Sequence, residues 1–312
     1  ILKYAQICRR KKGGKIMKIK RMSKLCFALL GSMIGTTLLI LLINQIVKML
    51  PLYIDGALMR FVLLGCNSIG YFVLFWLFSH IVDKKPIQEI SMGKAFSIVE
   101  GIKYFVFLMG FSPVISLLSR GLMIVLARVT GQKEANAGLV EELVNAAPPV
   151  LIIICVAVIA PLMEELLFRK VLLERLLPYG KAPAILISSI MFGVFHANFE
   201  QMFYTILLAV VCSNIVIQTG KVRNAVYIHM AYNMWGSVVA PQTLKSIPEV
   251  IAVIQIVFTI AAVIIFVKCR KSMFVSMKEK EETFEWKREL CSVGSVAYLL
   301  FFIGMGIEAL MK

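Results

Sequence analysis

The stretch Val150-Leu-Ile-Ile-Ile-Cys-Val-Ala-Val-Ile-Ala-Pro161-Leu-Met-Glu164-Glu165-Leu-Leu-Phe168-Arg169 decides how this chain is read. Apolar residues run unbroken from Val150 to Met163, and then two carboxylates enter the same run. A membrane-spanning helix needs about 20 predominantly apolar residues, so this stretch spans only if it takes Glu164 and Glu165 with it. A charge at the centre of such a helix costs roughly 2.5 kcal/mol or more, and an ionisable group placed there is a functional hypothesis by default. One run thus poses both questions: the architecture, and the purpose of the acids.

Working outward, apolar runs of similar length recur along the chain. Candidate spans are 25–47, 61–82, 104–127, 149–168, 183–199, 202–219, 224–240, 249–267 and 290–310. They predict an all-α protein, a polytopic transmembrane helical bundle of eight or nine spans. The third is interrupted by Pro113 and Arg120 and is expected to kink or lie partly at the interface. Composition agrees: 59% of the 312 residues are hydrophobic and the mean hydropathy is +0.84, against about 45–50% apolar residues in soluble domains. No polar stretch is long enough for a separate soluble domain. The mixed-charge run 278–289 reads as a solvated connector.

The chain holds 34 Lys and Arg against 18 Asp and Glu, a net charge of +16. Nucleic acid is the first partner such a charge suggests, but no glycine-rich phosphate loop or aromatic-basic platform accompanies it. The cations gather instead in short loops between apolar runs, as the positive-inside rule requires. With the N-terminus in the cytoplasm, only Lys48, Arg60, Arg120, Arg128, Lys133, Lys245 and Lys312 fall on the far side. Segment 131–149 is then external, and the residues from Arg169 to Lys181 form a cytoplasmic turn. The expectation is a multi-pass protein of the cell membrane whose partner is the lipid bilayer. The seven cysteines form no CxxC pattern and mostly lie in or beside apolar runs, which suits small buried hydrophobes better than disulfides or a zinc ribbon.

Residues 1–24 read as a basic cytoplasmic N-terminus. The chain opens on Ile1, and Gly13-Gly14 lie just ahead of Met17. A purine-rich ribosome-binding sequence would encode such a pair, so 1–16 are read as lying upstream of a bacterial start at Met17. The first apolar run is long enough to span and lacks an A-x-A site, so it is not read as a cleavable signal.

Three places put ionisable groups into apolar runs. In the first, Glu165 and Arg169 are four apart and share a helix face, with the acid N-terminal as such pairs prefer. Glu164 points about 100° away and lacks such a neighbour, which suits a general base. The bland alternative ends the helix at the headgroups with both acids solvated. The second place is Phe192-Gly-Val-Phe-His196 and the third His229-Met-Ala-Tyr-Asn233, where His229 and Asn233 share a face. A lone histidine in an apolar helix is more often a satisfied polar group, and interhelical hydrogen bonding is a fair reading of the third. Spacing favours the sharper reading. Glu164 and His196 are equidistant from the turn at Gly180, so an antiparallel hairpin brings them to one depth. His229 and Glu164 both sit roughly 8–9 Å from their nearest basic flank. His80, the remaining histidine, has no partner motif and reads as interfacial.

Glu-Glu-x-x-x-Arg at 164–169, Phe-x-x-x-His at 192–196 and His-x-x-x-Asn at 229–233 resemble, in order, the three motifs of the CPBP intramembrane proteases. That family includes CAAX prenyl-protein endopeptidases and bacterial members linked to bacteriocin processing and self-immunity. The resemblance covers 150–240 and implies a protease core over 149–240, flanked by transmembrane helices over 25–148 and over 241–312, the latter with a cytoplasmic connector. It implies a catalytic set of Glu164, Glu165, Arg169, His196, His229 and Asn233. Glu164 would activate a water with help from His196, His229 and Asn233 would stabilise the oxyanion, and Glu165 and Arg169 would set orientation and local field. If a metal takes part, Glu164, His196 and His229 are its ligands, and zinc the ion. Without HExxH, metal-independent water activation is the preferred form.

The expected function is therefore an intramembrane endopeptidase acting on a peptide precursor or a membrane-associated protein. Two rivals belong to other classes. A non-catalytic immunity or scaffold protein would not need an intact motif set. A proton-coupled transporter would use the same acids and histidines as a relay, but commonly shows repeats and glycine-broken helices that this sequence lacks.

Overall fold

Each apolar run folds as a helix, because in lipid a backbone can satisfy its polar groups only within itself or in a closed barrel. The computed structural model describes residues 2–49, 56–84, 90–91, 93–130, 148–275 and 289–311, and no side chain before Arg21. The connector at 278–289 and the external segment at 131–149 lie outside the described residues except at their last positions, as do the side chains of the basic N-terminus.

Among the described residues there are nine helical runs: α1 (Leu2–Met49), α2 (Gly56–Val82), α3 (Ile98–Thr130), α4 (Pro149–Tyr179), α5 (Lys181–Phe195), α6 (Phe199–Thr219), α7 (222–246), α8 (Pro248–Met273) and α9 (Val293–Met311). Six of them, α1 to α4, α6 and α8, are long and apolar enough to cross a membrane, and α5 and α9 are shorter apolar helices. The protein is a multi-pass membrane helical bundle. α3 opens with a reciprocal capping box. The Ser97 hydroxyl accepts from the Glu100 N–H, and the Glu100 carboxylate accepts from the Ser97 N–H. The helix then runs uninterrupted through Pro113 and Arg120, and Arg120 pairs with Glu200 of α6 at 2.9 Å.

Two expectations need correction. The turn after α5 comes earlier than the sequence suggested. Ala197 adopts φ 49, and Asn198 caps α6 by accepting from the backbone N–H groups of Glu200 and Gln201, so His196 ends its helix instead of lying inside it. At about 1.5 Å per residue, α5 is roughly 22 Å long, less than the hydrocarbon core. Arg169 and Arg175 are not loop residues either. Both are buried in α4, each held by an acid: Arg169 by Glu165, and Arg175 beside Asp83, the residue just after α2, to which Arg21 of α1 is also bonded.

α1 packs on α2 and α9, α3 on α8 and α6, and α6 on α5 and α7. Glycine allows the closest approaches: a Cβ at Gly294 would lie 2.2 Å from the Ser23 carbonyl, and one at Gly110 would lie 2.5 Å from that of Phe258. α8 contributes little to the interior and turns Val253, Ile256, Val257, Ile260 and Ile264 outward. The polar side chains of interest converge where α4, α5, α6 and α7 meet.

Candidate active site

α4 is not a uniform α-helix. It is π-helical over Ile153–Ile159, α-helical over Ala160–Glu165 and π-helical again over Leu166–Leu173. Glu164 and Glu165 thus end a single short α-helical stretch between two widened ones. Single-turn π segments inside α-helices occur often at functional sites. The bonding register is explicit: the Ala160 N–H reaches the Cys155 carbonyl five residues back.

Glu165 is fully buried and takes part in two contacts. Its Oε2 lies 3.0 Å from Arg169 Nε, and its Oε1 accepts from His229 Nδ1 at 2.8 Å. A carboxylate can only accept, so Nδ1 of His229 carries a proton and the tautomer is set. The other ring nitrogen, Nε2, faces Glu164 Oε2 at 3.7 Å. His229 is therefore held between the two glutamates. Glu164 keeps 22% of its side chain exposed, whereas Glu165 keeps none. Neighbouring acids in one helix are thus split by environment. One is locked in a charge network, while the other is open to a small molecule.

His196 sits at the C-terminal end of α5, partly exposed, with Nδ1 bonded to the Phe192 carbonyl at 2.9 Å. A carbonyl cannot donate, so Nδ1–H is the donor and the Nε2 lone pair is left for another partner. The hairpin register agrees with the equal spacing from Gly180. Phe168 and Phe192, at equal distances from Gly180 in sequence, stack edge to face at 5.0 Å. The hairpin closes at Gly180, whose φ of 110 favours glycine. Gly193 keeps α5 tight against α6, since a Cβ there would lie 2.3 Å from Ile206 Cγ1 and 2.7 Å from the Met202 carbonyl.

Asn233 donates from Nδ2 to the Val156 carbonyl of α4 at 3.0 Å. One amide proton is thereby used on the first π-helical segment. The structure brings Glu164, Glu165, Arg169 and His229 into one network, fastens Asn233 to the same helix, and sets His196 at the hairpin end. No hydrogen bond or ion pair joins His196 to Glu164 or His229 among the described residues. Nor do any three His, Cys, Asp or Glu side chains there come together as metal ligands. Nδ1 of each histidine is given to an oxygen, which leaves Nε2 as the nitrogen that meets a water or another ligand.

Two residues of the site escaped the sequence reading. Phe192 is fully buried, and its ring meets the guanidinium of Arg169 at 4.7 Å, the His196 ring at 4.8 Å and the His229 ring at 5.9 Å. Its place in the Phe-x-x-x-His pattern was visible but carried no role. Cys212 of α6, also fully buried, lies against Glu165 and Arg169, and nothing in its apolar sequence context marks it. His80 is exposed and bonds to the Trp76 carbonyl of its own helix.

Residues 146–235, which hold all of these groups except His80, match the family model described as Type II CAAX prenyl endopeptidase Rce1-like. Over this segment the chain is similar to the CAAX-type membrane endopeptidases. The chain is also similar to the Bacillus subtilis (strain 168) protein named "Putative membrane peptidase YdiL", 26% identical over 106 residues, or 33% of this chain. The chain spans less than half of that relative, 42% of its length. No solved structure matches the chain.

Proposed function

We propose that this protein is an intramembrane endopeptidase that hydrolyses a peptide bond of a membrane-associated protein or peptide precursor. The observation that carries the proposal is the chain of contacts Glu164–His229–Glu165–Arg169, with the outer acid partly exposed and the inner one buried and locked.

Glu164 takes a proton from a water whose other contact is the Nε2 lone pair of His196. The water oxygen adds to the scissile carbonyl, and the carbonyl oxygen becomes an oxyanion. Its stabilisation calls for donors fixed in advance in a dry site. His229 supplies one from Nε2 when both ring nitrogens are protonated. In that state Glu164, Glu165, Arg169 and His229 sum to zero charge, which suits an apolar interior. Asn233 retains one amide proton for the same purpose. The proton held by Glu164 then passes to the leaving nitrogen, the C–N bond breaks, and the products are a carboxylic acid and an amine. No step runs through a metal. The site is reached from the cytoplasm, with the N-terminus on that side.

The test is reconstitution of the purified protein in liposomes with candidate precursor peptides, reading new termini by mass spectrometry. Cleavage that disappears with Glu164→Ala supports the endopeptidase. Peptide accumulation in sealed vesicles without new termini would favour transport. Protection against a membrane toxin that survives Glu164→Ala, His196→Ala and His229→Ala would favour a scaffold.

A further inference from the structure

The π-helical turn ahead of Glu164 has a chemical gap that another helix fills. Over the π-helical segment Ile153–Ile159 the backbone bonds reach five residues back, and at its end the Ala160 N–H is bonded to the Cys155 carbonyl. The next carbonyl is that of Val156, and its donor would be residue 161. Residue 161 is proline, which has no N–H. The donor that Val156 receives is the Asn233 amide of α7, at 3.0 Å. Backbone carbonyls inside a membrane must find a partner, and a polar side chain of a neighbouring helix is one of the ways a proline-freed carbonyl is satisfied.

We propose that Asn233 is a positioning residue that stands in for the missing N–H of Pro161 and holds the π turn in place, and that this turn aims Glu164 at His229. Residues 153–159 form the widened segment, and α-helical geometry resumes at Ala160, four residues before Glu164. A turn of 4.4 residues in place of 3.6 rotates everything after it about the helix axis. The direction of Glu164 therefore depends on whether the turn stays wide. Asn233 lies one helical turn beyond His229 on α7, so a single helix presents both the ring that faces Glu164 and the amide that holds the turn before it. The proposal rests on the endopeptidase reading for its catalytic consequence, though not for its structural one.

The experiment is a cycle of Asn233→Ala, Pro161→Ala and the double variant, in full-length protein in detergent and in liposomes. Pro161→Ala restores a backbone N–H in register with Val156. Asn233→Ala alone leaves a part-buried acceptor within a membrane helix unserved and is expected to shift the unfolding equilibrium by about five- to 150-fold and to lower the cleavage rate. Adding Pro161→Ala should recover most of the stability and the part of the rate lost through a misdirected Glu164, but not the part lost with the oxyanion donor. Three results would overturn the proposal: a double variant as unstable as Asn233→Ala, an Asn233→Ala protein as stable as wild type, or recovered stability with cleavage still at the Asn233→Ala level. The last would make direct contact with the reacting oxygen the whole catalytic role of Asn233. The thermal arm needs no substrate, so it decides the structural claim even if wild type cleaves nothing, whereas cleavage indifferent to Glu164→Ala would sink the endopeptidase reading alone.

Discussion

Arg169→Met removes the cation from a buried pair and leaves the acid behind. Arg169 is 1% exposed and Glu165 0%, and their 3.0 Å contact lies among apolar side chains of α4, α5 and α6. Solvent screening, which reduces exposed pairs to a fraction of a kcal/mol, is absent here. Breaking a buried pair from one side costs about 3–5 kcal/mol, because the remaining charge is left uncompensated. That corresponds to a shift of about two to more than three powers of ten in the unfolding equilibrium. His229 stays bonded to Glu165 at 2.8 Å and offsets part of the loss, so the lower end of the range is expected. Arg169→Lys restores the charge but not the flat guanidinium over the Phe192 ring at 4.7 Å, and should recover all but about 1–2 kcal/mol. The assay is equilibrium unfolding in detergent, followed by the reactivity of the buried thiols. Cys212, which is fully buried against this pair, is a local reporter. An Arg169→Met protein within about 1 kcal/mol of wild type would mean that the contact does not balance Glu165, and the division of labour between the two glutamates would fall with it.

Three further outcomes follow from the same geometry. Gly193→Ala places a methyl 2.7 Å from the Met202 carbonyl and 2.3 Å from Ile206; α5 must shift, with a loss of about 1–3 kcal/mol and of cleavage, measured by the same unfolding assay and by peptide turnover. Asp83→Asn leaves Arg21 and Arg175 buried without their acid and should lower stability by about 3 kcal/mol or more, while turnover per folded molecule stays close to wild type because none of the catalytic set contacts that cluster. Dialysis against a strong chelator, with metal analysis of the protein before and after, should leave the cleavage rate unchanged if Glu164 activates the water without a metal, as proposed; a rate lost with chelator and regained with zinc would reverse the metal-independent mechanism.

Much of the bundle was legible because hydrophobic runs are the dominant signal in lipid. The pairing of Glu165 with Arg169 was legible because i,i+4 spacing is local. The equal spacing of Glu164 and His196 from Gly180 was also legible, and the Phe168–Phe192 contact follows the same register. Three features were out of reach for definite reasons. The bond from Glu165 to His229 joins residues 64 apart in sequence, and nothing local says which of two adjacent acids a distant ring will choose. The π turns depend on which carbonyl finds a donor, so Pro161 hints at them only once Asn233 is known to lie beside Val156. The early end of α5 was hidden because Ala197 and Asn198 interrupt an apolar run without glycine or proline, and the positive φ at Ala197 has no sequence signature. Counting Arg169 and Arg175 as loop cations had a similar origin: positive-inside arithmetic cannot tell a headgroup arginine from one buried against an acid.

The most direct test of the central claim compares turnover by wild type and Glu164→Gln in liposomes, with a peptide that wild type cleaves. Glutamine keeps the shape and the neighbours of Glu164 but cannot take a proton from water. The expected result is a fall in kcat of about 10²–10⁴-fold, with KM and thermal stability near wild type and the cleavage position unchanged in any residual product. A Glu164→Gln protein that turns over at the wild-type rate would contradict the assignment of Glu164 as the base.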